Sequence, residues 1–186
     1  MTRAAFDPAA VDANGDAGTA VLELPFPFTV YGTSHRRYWI TVDGQLGFGK
    51  TPGDCAFGQV TCSRPDSRNR RPILLVNSTA PSRRLGPAAG VCCATTGTAP
   101  HRKLVVTWTD APFYDAWLTS NVTFSATLNE GANVVDVELA RTGAPYQPFF
   151  EAGGAAALGK QAGGLAHAFS WFPALAPGSA VMHYNP

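Results

Sequence analysis

The sequence predicts an all-β protein, an antiparallel β-sandwich with long loops, and three observations carry that prediction. First, consecutive segments alternate apolar and polar residues with a period of two. Leu104, Val106 and Trp108 share one face of one segment, Val122 to Leu128 alternates with hydroxyls, and Val135, Val137 and Leu139 alternate with Asp136 and Glu138. That pattern belongs to strands with one buried and one wet face. Second, Asp43-Gly44 stands between two β-prone runs, where a tight hairpin turn requires left-handed backbone. Third, 19 glycines and 15 prolines interrupt the chain too often for long helices.

The elements follow in chain order. Residues 1–20, rich in Ala, Asp and Gly, read as an irregular N-terminal arm. Strands are expected around 22–30 and 37–49. With a two-residue turn at Asp43-Gly44, Trp39 faces Phe48, Ile40 faces Gly47 and Thr41 faces Leu46, so that Trp39, Thr41, Leu46 and Phe48 share the core side. Residues 50–72 form a loop rich in Gly, Pro and Arg. Ile73–Val76 is a continuous apolar run, read as a buried strand, and 77–100 is a second long loop. After the strands at 104–109, 122–128 and 135–139, three more short strands are expected at 155–158, 166–171 and 179–184. Gly153-Gly154 and Gly163-Gly164 read as turns. Several short strands bounded by turn signals describe a sandwich or barrel. The length of 186 residues fits a single domain spanning 1–186.

Composition narrows the function. A formal charge of +1 removes any global argument for nucleic acid or an acidic membrane as partner. No apolar run reaches the length of a membrane span, and the opening Met1-Thr2-Arg3 carries no signal peptide. An even count of four cysteines, Cys55, Cys62, Cys92 and Cys93, in a loop-rich chain of low charge points to disulfides and an oxidising compartment. The neighbours Cys92 and Cys93 are expected to pair each with Cys55 or Cys62, because a bridge between them would be strained. Zinc is the rival reading, weakened by the lack of any Cys-x-x-Cys knuckle.

Three constellations are candidates for chemistry. Asp12, Asn14, Asp16 and Glu23 match in number and spacing the oxygen ligands of a calcium loop; Ala17 stands where such a loop needs Gly, and an acidic turn before a strand is the plainer reading. Asp110 and Asp115 flank the aromatics Trp108, Phe113, Tyr114 and Trp117. Paired carboxylates beside aromatics suit sugar binding or glycoside hydrolysis, and Tyr114, Trp117, Asp115 and Asp110 are the candidate ligand-binding set. Arg64, Arg68, Arg70 and Arg71, with Arg83 and Arg84 further on, concentrate positive charge that could hold a polyanion such as an acidic polysaccharide. The four histidines are scattered, and no HExxH, GxSxG or phosphate-cradling glycine loop occurs, so no catalytic set is assigned.

A family resemblance joins these readings. Leu24-Pro25-Phe26-Pro27-Phe28, Tyr31-Gly32, the run to Val42, then Gly44 and Leu46-Gly47-Phe48-Gly49 resemble the opening of a nidogen-like extracellular domain, with Asp43 where that family usually has Asn. Leu104–Trp108, Val122–Phe124 and Leu128-Asn129-Glu130-Gly131 are similar to its central stretch, and the likeness covers roughly 12–184. It implies a β-rich extracellular or cell-surface module of the kind found in secreted bacterial surface proteins, without a catalytic set. The expected function is therefore non-catalytic binding or adhesion, with a glycan or surface protein as partner reached through the loops. The alternative is a structural subunit or tip component of a surface assembly, self-associating through its edge strands.

Overall fold

In the computed structural model, residues 2–4, 19–30, 32–42, 44–49, 73–75, 90–112, 121–141, 158–162, 165–170 and 182–184 are described. They form twelve strands and no helix: β1 (Thr2–Arg3), β2 (Thr19–Val30), β3 (Thr33–Thr41), β4 (Gln45–Phe48), β5 (Ile73–Leu75), β6 (Gly90–Thr96), β7 (Lys103–Pro112), β8 (Asn121–Asn129), β9 (Val134–Arg141), β10 (Leu158–Ala162), β11 (Leu165–Ser170) and β12 (Met182–Tyr184). Two antiparallel sheets result. One, sheet A, has the order β1-β6-β7-β8-β9-β12; the other, sheet B, runs β11-β10-β5-β4-β3-β2. The all-β sandwich read from the sequence is the architecture observed.

The alternation that announced β7, β8 and β9 builds the inner face of sheet A. Leu104, Val106 and Trp108, then Phe124, Ala126 and Leu128, then Val135 and Val137 are all buried, while Thr107, Ser125, Thr127 and Glu138 lie on the other face. Sheet B supplies Phe26, Phe28, Val30, Tyr38, Ile40, Leu46 and Phe48 to the same core. Phe28 stacks on Phe48 at 5.6 Å between ring centroids, and Trp108 on Phe124 at 4.9 Å. The indole N–H of Trp108 crosses between the sheets and donates to the Thr41 carbonyl (2.9 Å), so this polar edge of a buried ring is satisfied.

The β3–β4 hairpin departs from expectation by one residue. Tyr38 pairs with Phe48, Trp39 with Gly47 and Ile40 with Leu46. The loop is therefore three residues long, Val42 to Gly44, with Gly44 at φ 85°, its N–H directed to the Thr41 carbonyl, and the Gln45 N–H bonded to the Thr41 hydroxyl (3.1 Å). Because strand side chains alternate, the one-residue change exchanges faces. Tyr38, Ile40, Leu46 and Phe48 face sheet A, whereas Trp39, Thr41 and Gln45 occupy the outer face, also buried. There the Trp39 benzo ring lies directly over Gly47, where any Cβ would overlap it.

Three further corrections concern the irregular regions. The N-terminal arm contributes β1, and β2 already begins at Thr19. The expected loop 77–100 contains β6, whose small residues lack the large apolar alternation that marks a strand in sequence. The late strands lie at 158–162, 165–170 and 182–184, the first of them beyond the expected 155–158. Residues 50–72 lie outside the described residues.

Candidate binding surfaces

Strand directions sort the connections between two ends of the sandwich. At the lower end, β6 passes to β7 through 97–102 and β8 to β9 through 130–133. Here Thr29 of β2 donates its N–H to Asn133 Oδ1 (3.2 Å), which places the C-terminal end of β2 at the same end. Following the antiparallel register from there, the strand ends that flank 49–72 also lie at the lower end. Those that flank 76–89, 113–120, 142–157 and 171–181 lie at the upper end. The segment holding Arg64, Arg68, Arg70 and Arg71 and the segment holding Tyr114, Asp115 and Trp117 thus depart from opposite ends.

Of the candidate residues themselves, Asp12, Asn14, Asp16, Arg64, Arg68, Arg70, Arg71, Tyr114, Asp115 and Trp117 lie outside the described residues. Asp110 belongs to β7, which continues to Pro112. Glu23 sits on β2 in an exposed ion pair with Arg37 (2.6 Å). No grouping of His, Cys, Asp and Glu suited to a metal occurs among the described residues.

Cys92 and Cys93 are free thiols in this structure, and Cys55 and Cys62, the partners expected for them, lie outside the described residues. Neighbouring strand residues point to opposite faces, and Cys93 packs against the inter-sheet core, where it hydrogen-bonds the Tyr38 hydroxyl. Burial raises the Cys93 thiol above its ordinary pKa, and the neighbouring Cys92 adds to the effect. Burial likewise raises the Tyr38 phenol, reinforced by Cys93. Both groups are held protonated.

Two arrangements had no individual signal in the sequence. At the lower end Arg102 grips Glu130 with both arms of its guanidinium, Nε to Oε2 at 2.8 Å and Nη2 to Oε1 at 2.6 Å. Its backbone N–H bonds the same carboxylate, its Nη1 donates to the Pro25 carbonyl (2.7 Å), and the group lies 5.4 Å from the Phe26 ring centre. The guanidinium hydrogen bonds pull the Glu130 carboxyl down to about 2. This cluster fastens the edge strand β2 to sheet A. The only hint in sequence was Leu128-Asn129-Glu130-Gly131, one of the stretches that carry the family resemblance.

The second arrangement is a groove of about 520 Å³ along the side of the sandwich where β2 and β1–β6 end their sheets. Its walls include Leu22, Leu24 and Leu104, with Thr2 and Thr95 at the rim and the Tyr38–Cys93 pair among its lining. Its residues are spread over β1, β2, β3, β6 and β7, so no local motif announces it.

Fold and surfaces together define a two-sheet antiparallel β module carrying long connections at both ends and an open side. The chain belongs to the family described as NIDO related, whose model matches residues 2–167. The nidogen-like resemblance read from the strand motifs is thus the family to which the chain is assigned. No curated protein and no solved structure matches it.

Proposed function

We propose that the chain is a non-catalytic extracellular binding or adhesion module that recognises a surface glycan or a protein partner through segments at the upper end of the sandwich. The observation that carries this reading is topological: the strand ends flanking 76–89, 113–120, 142–157 and 171–181 gather at one end of a rigid scaffold. Binding residues concentrate on connections held by such scaffolds. Within 113–120, Tyr114 and Trp117 offer aromatic stacking area for a sugar ring, and Asp115 offers a hydroxyl acceptor.

The test is binding of the purified protein to a panel of glycans and matrix polysaccharides at low and physiological salt. A salt-resistant interaction lost in Trp117→Ala supports the upper end. One that vanishes with salt and depends on Arg68 and Arg70 moves recognition to the opposite end, since charge contacts are screened. A second reading, a subunit of a surface assembly, is favoured by the two- and three-residue strands that close sheet A at either side. Concentration-dependent self-association without glycan binding would support it.

A further inference from the structure

We infer that the outer face of sheet B, beside the β3–β4 hairpin, is a binding site for a hydroxyl group, held between the indole N–H of Trp39 and the side-chain carbonyl of Gln45. Two sources carry such a group. For a sugar the site rests on the glycan reading of the module; for a buried water it stands on the fold alone.

The two strands bring the polar atoms together. Trp39 and Thr41 share the outer face of β3, and Gln45 and Gly47 share that of β4, because strand side chains alternate. Trp39 is opposite Gly47, and with no Cβ there its benzo ring lies across β4. One ring atom over Gly47 is Cε2, the carbon bonded to Nε1, so the indole N–H reaches the strand that carries Gln45. Gln45 stands two residues from Gly47 on the same face, roughly 7 Å along the strand. Its backbone is pinned. The Gln45 N–H donates to the Thr41 hydroxyl (3.1 Å), and the Thr41 carbonyl receives the Trp108 indole (2.9 Å).

Trp39 is 0% and Gln45 1% exposed, yet Trp39 Nε1 and Gln45 Oε1 have no hydrogen-bond partner, in each other or elsewhere. Buried polar atoms are rarely left so. The Trp108 indole, equally buried, has its acceptor.

An unmet donor and an unmet acceptor over one strand select their ligand. A carboxylate or phosphate would receive from the indole and repel the Gln45 oxygen. An ammonium would bond that oxygen and offer the indole nothing. A hydroxyl accepts from one and donates to the other. Water is the smallest carrier of that group, and buried polar groups commonly hold one. A sugar hydroxyl is open to the site by its position. β3 runs from Thr33, paired with Val30 at the lower end, to Thr41 at the upper end, where the candidate binding segments depart. Val21, opposite Trp39 on the edge strand β2, is 54% exposed, so solvent lies one strand away.

The test is magnetic resonance of the isotope-labelled full chain. Without sugar, a cross-peak between a long-lived water and the Trp39 indole proton is expected. Gln45→Leu should abolish it and leave the Trp108 indole resonance in place. Methyl glycosides of glucose, galactose, mannose and N-acetylglucosamine are then titrated in. A saturable shift of the Trp39 indole resonance with loss of the water cross-peak assigns the hydroxyl to a sugar. A cross-peak unchanged throughout assigns it to resident water. A Trp39 indole proton showing neither water contact nor sugar response overturns the site, as does a cross-peak that survives in folded Gln45→Leu. The unaltered chain decides by itself, whether or not the variant folds. Glycan binding that leaves Trp39 unmoved keeps the adhesion reading and confines this site to water, so the two fail separately.

Discussion

A single methyl group at Gly47 should matter more than its size implies. Gly47→Ala drives a Cβ into the Trp39 benzo ring, which is wholly buried and cannot swing away without disturbing the outer face of sheet B. Overpacking of this kind costs about 1–3 kcal/mol, readable as a lower denaturation midpoint. Trp108→Phe should cost a similar amount, about 1–3 kcal/mol, because it leaves the buried Thr41 carbonyl without its indole donor. Two residues give the molecule an acid limb. The Glu130 carboxyl is held below its ordinary value, so its contribution is complete above pH 4.5 and is lost as pH falls toward about 2. Burial lowers the imidazole of His35, packed 5.3 Å from Phe48 between ring centres, so its contribution is complete above pH 6.5 and declines as pH falls through its lowered value. Melting curves across this range should show two acid-side losses. His35→Phe should remove the upper one and Glu130→Gln the lower. If both variants keep the wild-type pH profile, neither group is the source.

Among the elements, β7, β8 and β9 were legible because one face of sheet A carries hydroxyls and charges while the other packs in the core. The β3–β4 hairpin was legible as a hairpin and not in register. Tyr38, Trp39, Ile40 and Thr41 are all buried, so alternation gave no sign of which face was inner. The turn then decided, and Asp43-Gly44 fits a three-residue loop ending in a left-handed glycine as well as a two-residue one. In β6 the inward residues are Val91 and the half-buried Cys93, too few and too small for the pattern to be seen without the sheet around them. β6 also carries Cys92 and Cys93. Their placement predicts an asymmetry: in the native protein a thiol reagent should modify Cys92 before Cys93, whose thiol is half-buried against the core and raised in pKa by that burial. Equal rates, followed by peptide mapping, would contradict the two-faced arrangement.

For the molecule as a whole, sequence reached the layer architecture and the family, since strand grammar is local and survives without contacts. The candidate surfaces were reached only as separate segments. That 49–72 and 113–120 depart from opposite ends follows from strand directions across two sheets, and the side groove is assembled from five strands. Neither is encoded in any short stretch. The same topology has a mechanical consequence. Sheet A begins with β1 at one margin and ends with β12 at the other, so tension applied through the two ends of the chain loads the two shortest margins of one sheet first. Both are held by only a few rungs, whereas the β6–β9 meander between them has long continuous ladders. Under stretching, the margins should peel at low force while the meander holds. A module strung in series between a surface and its target would then yield at its borders, absorbing load and baring the β6 edge before its centre gives way.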